Sequence, residues 1–377
     1  MDGQLRSWLS NPSGSMMVSS EATGIKEKHN SPTLAVKWRS RLISMGILLS
    51  GLLLLAAFAT TIGSVKIPLG TTFGILLDKL PFINIDQTWS DSTATIISQI
   101  RLPRVILAGV VGIALSVAGA TYQGLFRNPL ADPYLIGVAQ GAALGAAVGF
   151  VIPTVFPGLE FSIVPIFAAL GALITVLIVY TLARVGAAIP VTTLILAGVA
   201  VGSLLMALVS YVITISGDKI QGIVFWMMGS FSLSQWSEVQ IALPVVIAGS
   251  AFIFLFARSL NIIQLGEDQA KQLGVDVEKL KLLLLTAATL ITAAAVSFVG
   301  IIGFVGIIIP HAVRLIWGAD YRFLLPFSAL VGAIFLITAD IISRTIAPSE
   351  IPIGIITALC GAPFFLYLLR KRTQVLF

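Results

Sequence analysis

Long apolar runs, interrupted by short polar stretches, set the reading of this chain. Uncharged runs of membrane-crossing length fall at Leu42–Ile62, Val105–Phe126, Tyr134–Ile152, Phe161–Leu182, Val191–Ile215 and Val239–Ala257. Each is close to the ~20 residues that a helix needs to cross a ~30 Å hydrocarbon core. Between Leu282 and Val313 no formal charge occurs, a run too long for one upright helix. Gly300, Gly303 and Gly306 punctuate its middle, so it divides into a seventh span and a shorter eighth ending near Pro310 and His311. Phe323–Ile346 reads as the ninth span and Pro352–Leu369 as the tenth. The stretch IQGIVFWMMGSFSLSQ at 220–235 is apolar but short and broken by glycine, and reads as an interfacial or re-entrant helix. The expected architecture is an all-α membrane protein of ten transmembrane helices with short re-entrant or interfacial helices.

The segment Arg101–Pro133 organises the rest. Arg101 and Arg104 flank Leu102-Pro103, a span follows, and a polar turn with two prolines, Arg127 to Pro133, closes it. Ala108, Gly112, Ser116 and Ala120 recur every four residues. They line one helix face with small side chains, which lets backbones approach closely in lipid. Gly137, Gly141, Gly145 and Gly149 repeat that spacing in the third span. Helix packing is the plainer reading of this ladder, and a pore-lining face is the other.

Composition sharpens the class. The chain is 57% hydrophobic and 11% charged, with mean hydropathy +1.00, as expected of a multi-span membrane protein. The single cysteine, Cys360, excludes an internal disulfide and any multi-cysteine metal site, and His29 and His311 make no ligand cluster. No cofactor or metal site is expected. No Gly-Lys dipeptide occurs, so the chain has no phosphate-binding loop of the Walker type; if ATP drives it, another chain binds the ATP. Residues 1–41 are rich in Ser, Asn, Gly and charge and read as a disordered basic tail before a transmembrane domain at 42–372. With ten spans both termini share one side. Of the 23 Lys and Arg residues, only Lys66, Lys79, Arg101, Arg104, Lys219 and Arg344 then fall on the opposite side. The termini are therefore expected in the cytoplasm.

Ionisable groups inside the spans are few. Asp340 stands in an apolar run with Arg344 four residues on, either as a local ion pair or as the group that fixes the pose of Arg344. So little intramembrane charge leaves no obvious ion relay, which weighs against an ion-coupled secondary transporter and for an externally driven one. The polar stretch Gly266–Gly274 reads either as a solvated linker or as a short amphipathic helix. In the helical reading Ala270 and Leu273 share one face and Glu267, Asp268 and Lys271 stay solvated. An exposed helix of that kind suits docking in a partner's groove.

Nine segments together carry a family pattern. They are RLPR at 101–104, QGLFRNPLADPYLIGV at 123–138, LILAGVA at 194–200, WMMGSFS at 226–232, LGEDQAKQLGV at 265–275, FVGIIGFVGIIIPHAVRL at 298–315, LLPFSALVGA at 324–333, ADIISR at 339–344 and IPIGIITALCGAPFFLYLL at 351–369. In these the chain resembles the permease subunits of type II ABC importers, which take up vitamin B12, ferric siderophores and haem. The resemblance implies a non-enzymatic permease for a metal-chelate compound, an iron complex or cobalamin. It implies a plasma-membrane homodimer with the pathway on its two-fold axis, surrounded by lipid and without nucleic acid. Two separate ATP-binding subunits would sit inside and one extracytoplasmic binding protein outside. It places a coupling helix at Glu267, Asp268, Ala270, Lys271, Leu273 and Gly274 for the ATPase. It places Arg101, Arg104 and Arg344 where related permeases meet acidic residues of the binding protein. It places a cytoplasmic gate at Asn128, Leu130, Val191 and Thr192, with Val191 departing from the small polar residue expected there.

The charge count predicts that a cysteine at Asp86, in a Cys360→Ser background, reacts with an impermeant thiol reagent added outside intact cells. Labelling only after lysis would invert the orientation.

Overall fold

The computed structural model describes residues 34–63, 65, 67–78, 87, 89–155, 163–186 and 189–373. Most of the expected basic tail and the labelling position Asp86 lie outside these residues. Helix α1 (Leu34–Thr61) begins before the span expected from Leu42. Between the first two expected spans the chain holds α2 (Leu69–Asp78) and α3 (Asp91–Thr95), the latter capped by the Ser90 hydroxyl. A π-helical turn (Ile96–Arg101) then carries α3 straight into α4 (Leu102–Leu125). The turn has a local cause. Pro103 has no N–H to give, and the Leu102 N–H reaches back five residues to the Ile97 carbonyl. The slip frees the Ser98 carbonyl, which accepts a 2.8 Å hydrogen bond from the Trp236 indole.

A 3-10 turn (Pro133–Ile136) leads into α5 (Val138–Val155), followed by α6 (Ile163–Ala183) and α7 (Val191–Ile215). Next come α8 (Ile220–Met227), α9 (Trp236–Leu255), α10 (Ala257–Ile263) and α11 (Glu267–Gln272). The chain finishes with α12 (Val277–Val299), α13 (Val305–Trp317), α14 (Tyr321–Thr345) and α15 (Ile353–Thr373). Among the described residues, seven helices are long and apolar enough to cross a membrane. They are α1, the α3–α4 rod, α6, α7, α9, α12 and α14; four shorter apolar segments lie in α2, α5, α13 and α15. The all-helical class is as expected, and the ten expected spans each find a helix. Length and composition alone mark seven of these as crossing.

Helix α4 is the axis of the packing: 89% of its apolar window is buried, against 6% for α1. Glycines along α4 explain how. A Cβ added at Gly112 would overlap the Gly332 carbonyl of α14, and one at Gly119 would overlap the Gly306 carbonyl of α13. Near the end of α4, a Cβ at Gly124 would lie 2.8 Å from the Tyr321 hydroxyl. Arg104 meets Asp340, Gly112 meets Gly332 and Gly124 meets Tyr321, so α4 and α14 run antiparallel along their whole length.

The glycine ladder of α5 serves packing. Gly141 and Gly145 lie against the backbone of α6 at Gly171 and Phe167, and Gly149 lies against Val164. Each missing side chain brings two backbones together where dispersion, and no hydrophobic drive, holds helices in lipid.

Filling one of these contacts tests the packing. Gly119→Val forces α4 away from α13 and should destabilise the fold by about 1–3 kcal/mol through overpacking. Gly46→Val, at a position with open space around it, should be neutral in the same detergent unfolding assay.

Candidate functional site

At one end of α4, three arginines close the structure over the end of α1. The last carbonyls of a helix have no partners within it and carry the negative end of its dipole. Arg101 Nη1 donates to the Thr60 carbonyl at 3.1 Å and the Thr61 carbonyl at 2.7 Å, and its Nη2 donates to Val65. Arg344 Nη1 donates to the Ile62 carbonyl at 2.9 Å. Arg104 grips Asp340 through Nε and Nη2, at 3.0 and 2.9 Å, and Glu350 through Nη1 at 2.8 Å. Asp340 has a side chain 1% exposed and lies between two guanidinium groups, its second oxygen 3.0 Å from Arg344 Nη2. The expected pair Asp340–Arg344 therefore forms, and Asp340 also holds Arg104.

The structure turns Arg101, Arg104 and Arg344 inward onto α1, α14 and the α14–α15 loop, so none of the three presents an exposed side chain. Arg101 and Arg344 turn in because the unpaired carbonyls at the end of α1 require donors, and Arg104 because Asp340 and Glu350 accept from it. Glu350, which sequence reasoning passed over, is the member of the cluster that reaches water, with its side chain 44% exposed.

The middle of the uncharged run holds a broken helix. Between α12 and α13, residues Gly300 to Phe304 leave helical geometry, with φ of 77° at Gly300 and 70° at Phe304. Backbone away from water must find partners where it unwinds. The Tyr134 hydroxyl donates to the Ile302 carbonyl at 3.0 Å. Ser230 N donates to the Val299 carbonyl at 2.8 Å, and the start of α15 joins the same junction through Ile353 N to the Gly229 carbonyl at 3.0 Å. Three family-like segments, WMMGSFS, FVGIIGF and IPIG, thus meet through their backbones. A fourth contributes one turn further on. Pro310 cannot donate to the Gly306 carbonyl four residues back. Gln123 Nε2 donates there instead at 3.3 Å, and to the Ile307 carbonyl at 3.1 Å.

At the far end of α4 the turn 127–133 is built by its own polar side chains. Asn128 Oδ1 accepts from Leu130 N at 3.0 Å, and Asp132 Oδ1 accepts from Tyr134 N at 2.8 Å. Burial pushes the Asp132 carboxyl up to about 6. Val191 and Thr192 open α7 just after Pro190, with Thr192 exposed. Asn128 and Leu130 are thus held by the turn and Val191 and Thr192 by α7, and no hydrogen bond joins the two pairs among the described residues.

The segment Gly266–Gly274 does form a short helix, α11, and its faces differ from the expectation. Ala270 is fully buried inside this chain, whereas Leu273 is 61% exposed. Leu273 is the residue that ends the helix, and Gly274 follows with φ of 83°, so the chain turns and Leu273 leaves the buried side. Asp268 and Lys271 face solvent as expected. Glu267 does not stay free: its carboxylate lies 2.9 Å from Lys281 Nζ of α12.

A cleft between α5 and α7 is lined by Tyr134, Gln140, Gly198, Val199, Ser203 and Met206. Gln140 Oε1 is buried there without a hydrogen-bond partner among the described residues.

The sequence pattern of the FecCD transport family matches residues 51–371. The chain is 44% identical to the cobalamin import system permease protein BtuC of Halobacterium salinarum over 282 residues, 75% of each protein. It is 40% identical over 343 residues to the hemin transport system permease protein HmuU of Yersinia pestis, covering 88% of this chain and 97% of that one. Among solved structures it is similar to a metal-chelate type ABC transporter in an inward-facing conformation. There the TM-score is 0.75 and the identity 32%, with 88% of this chain and 98% of that chain covered.

The arginine cluster makes a graded prediction. Asp340→Leu leaves two guanidinium groups without their buried carboxylate and should cost about 3–5 kcal/mol. Glu350→Gln, at the exposed rim, should cost under about 1 kcal/mol. Folded fraction in detergent as a function of temperature separates the two.

Proposed function

Because the chain belongs to the FecCD transport family, we propose that it is the membrane permease of an ATP-driven importer for a metal-chelate compound, an iron complex such as a ferric siderophore or haem, or cobalamin. The chain does no bond chemistry in this reading. It supplies a passage and two gates, and separate ATP-binding subunits supply the energy. The observation that carries it is α11, a polar helix whose inner side is locked to its own chain while Asp268, Lys271 and Leu273 are presented outward. A large apolar side chain held out on a polar helix fits a groove on a partner, and ABC ATPase subunits are the partners with which this family works.

The remaining roles follow from the same reading. Two copies of the chain enclose the passage, both termini lie in the cytoplasm, and α11 faces the ATPases there. The α5–α7 cleft, with the unpartnered Gln140 Oε1, suits a lining that must meet a polar chelate. Asn128 and Leu130 on the turn and Val191 and Thr192 on α7 form the cytoplasmic gate. At the opposite end an extracytoplasmic binding protein docks over Arg101, Arg104 and Arg344. Since these side chains are engaged internally, an incoming carboxylate would reach Arg104 from the Glu350 side, where the cluster opens to water. An ion-coupled mechanism finds no support: Asp340, the carboxylate expected within a span, is neutralised by two arginines.

The decisive variant is Leu273→Asp, which places a charge in the proposed ATPase contact. Desolvating that charge without a partner should cost several kcal/mol, on the order of 3. Membrane insertion and folding should survive, because the side chain is exposed in the permease alone. Co-purification of the ATPase and ATP-driven uptake should both be lost. Normal uptake would sink the reading. The absorbance spectrum of the co-purified binding protein distinguishes haem or cobalamin from a siderophore.

A further inference from the structure

We propose that Lys281 is the positioning residue that ties α11 to the start of α7, so that movement of the ATPase-facing helix is transmitted to the gate. The proposal rests on the coupling and gate assignments above and adds the link between them. Lys281 sits in the first turns of α12 and is 4% exposed, an unusual setting for a lysine in a polar region. Its ammonium has three N–H donors. Three acceptors surround it: the Glu267 carboxylate of α11 at 2.9 Å, Glu278 Oε1 at 3.3 Å and the Ile189 carbonyl at 3.4 Å. Glu278 completes the clamp from the other side, its Oε2 accepting from Ile189 N at 3.1 Å.

The geometry matters because of what Ile189 precedes. Pro190 and then Val191 and Thr192 follow it, the first residues of α7. Both backbone polar groups of Ile189 are held by α12 side chains, and its side chain is buried. Pro190 fixes its own φ near −65°. A displacement of Ile189 therefore passes into α7 with little slack. On the other side, α11 has only six residues and is bounded by Gly266 and Gly274, both at positive φ with open space around them. Among the described residues, the buried Ala270 and the Glu267–Lys281 bridge attach it to the body of the protein. Lysine suits this point because a compact ammonium can bind three acceptors on three different segments, which the planar fork of arginine could not do as readily.

Lys281→Met tests the link. Methionine fills the same buried volume, and Glu267 and Glu278 are exposed enough, at 34% and 29%, to regain water. The permease is co-expressed with its ATPase and reconstituted in vesicles. A cysteine replaces Thr192 in a Cys360→Ser background, and its maleimide labelling rate is measured with and without ATP plus vanadate. With Lys281 present, nucleotide should change the labelling rate. With Lys281→Met the ATPase should still co-purify and hydrolyse ATP, while the nucleotide-dependent change at position 192 shrinks about ten-fold, within the range of allosteric couplings. Glu278→Gln should weaken the same response and leaves the clamp only partly undone, which covers the case in which Lys281→Met folds poorly. A nucleotide response undiminished in both variants overturns the role of Lys281 while the gate reading stands. No nucleotide response with Lys281 present overturns the gate reading and this proposal with it.

Discussion

A helix that ends or breaks away from water leaves carbonyl groups without donors, and that constraint shapes each notable feature of this protein. Unsatisfied backbone groups are expensive in a low-dielectric interior. The end of α1 receives Arg101 and Arg344. The carbonyl freed by Pro310 receives Gln123, and the unwound Gly300–Phe304 segment receives Tyr134. The linker before α7 receives Lys281 and Glu278. In each case the donor or acceptor comes from an element distant in sequence, so satisfying the backbone also fastens helices together.

The same constraint explains why the scarce charges are where they are. Three arginines against two carboxylates would leave an excess cation in the cluster at the end of α1. The carbonyls and dipole of α1 supply the balancing negative potential. These groups are therefore structural anchors, and Glu350 is the member of the cluster open to water. The other polar cluster, around Lys281, lies at the opposite end of the α4 axis, where Gln264 of the α10–α11 segment donates to the Gly124 carbonyl at 2.9 Å. Between the two ends, α4 buries large apolar side chains such as Leu107, Leu115 and Tyr122 and also makes glycine–backbone contacts at Gly112 and Gly119. Such contacts are close and stiff, because backbone atoms cannot change rotamer.

Hydropathy and spacing by themselves determined the class, nearly all of the helices, the division of the 282–313 run, and the packing role of the small-residue stripe. These properties are local: apolar length, period and the absence of a Cβ are written in neighbouring residues. The i, i+4 pair Asp340–Arg344 was legible for the same reason. Tertiary structure decided what could not be local. It continued α3 through a π turn into α4, well ahead of the span expected from Val105. It separated Ala270 from Leu273, because the helix ends at Leu273 and a positive-φ glycine redirects the chain. It turned the arginines inward, since the donors' partners, the α1 carbonyls, are some 40 residues away from Arg101 and over 280 from Arg344. And it made Lys281 a link between α11 and the linker before α7, because Glu267 and the Ile189 carbonyl reach it only when the helices pack, whereas Glu278 is its i, i+3 neighbour on α12.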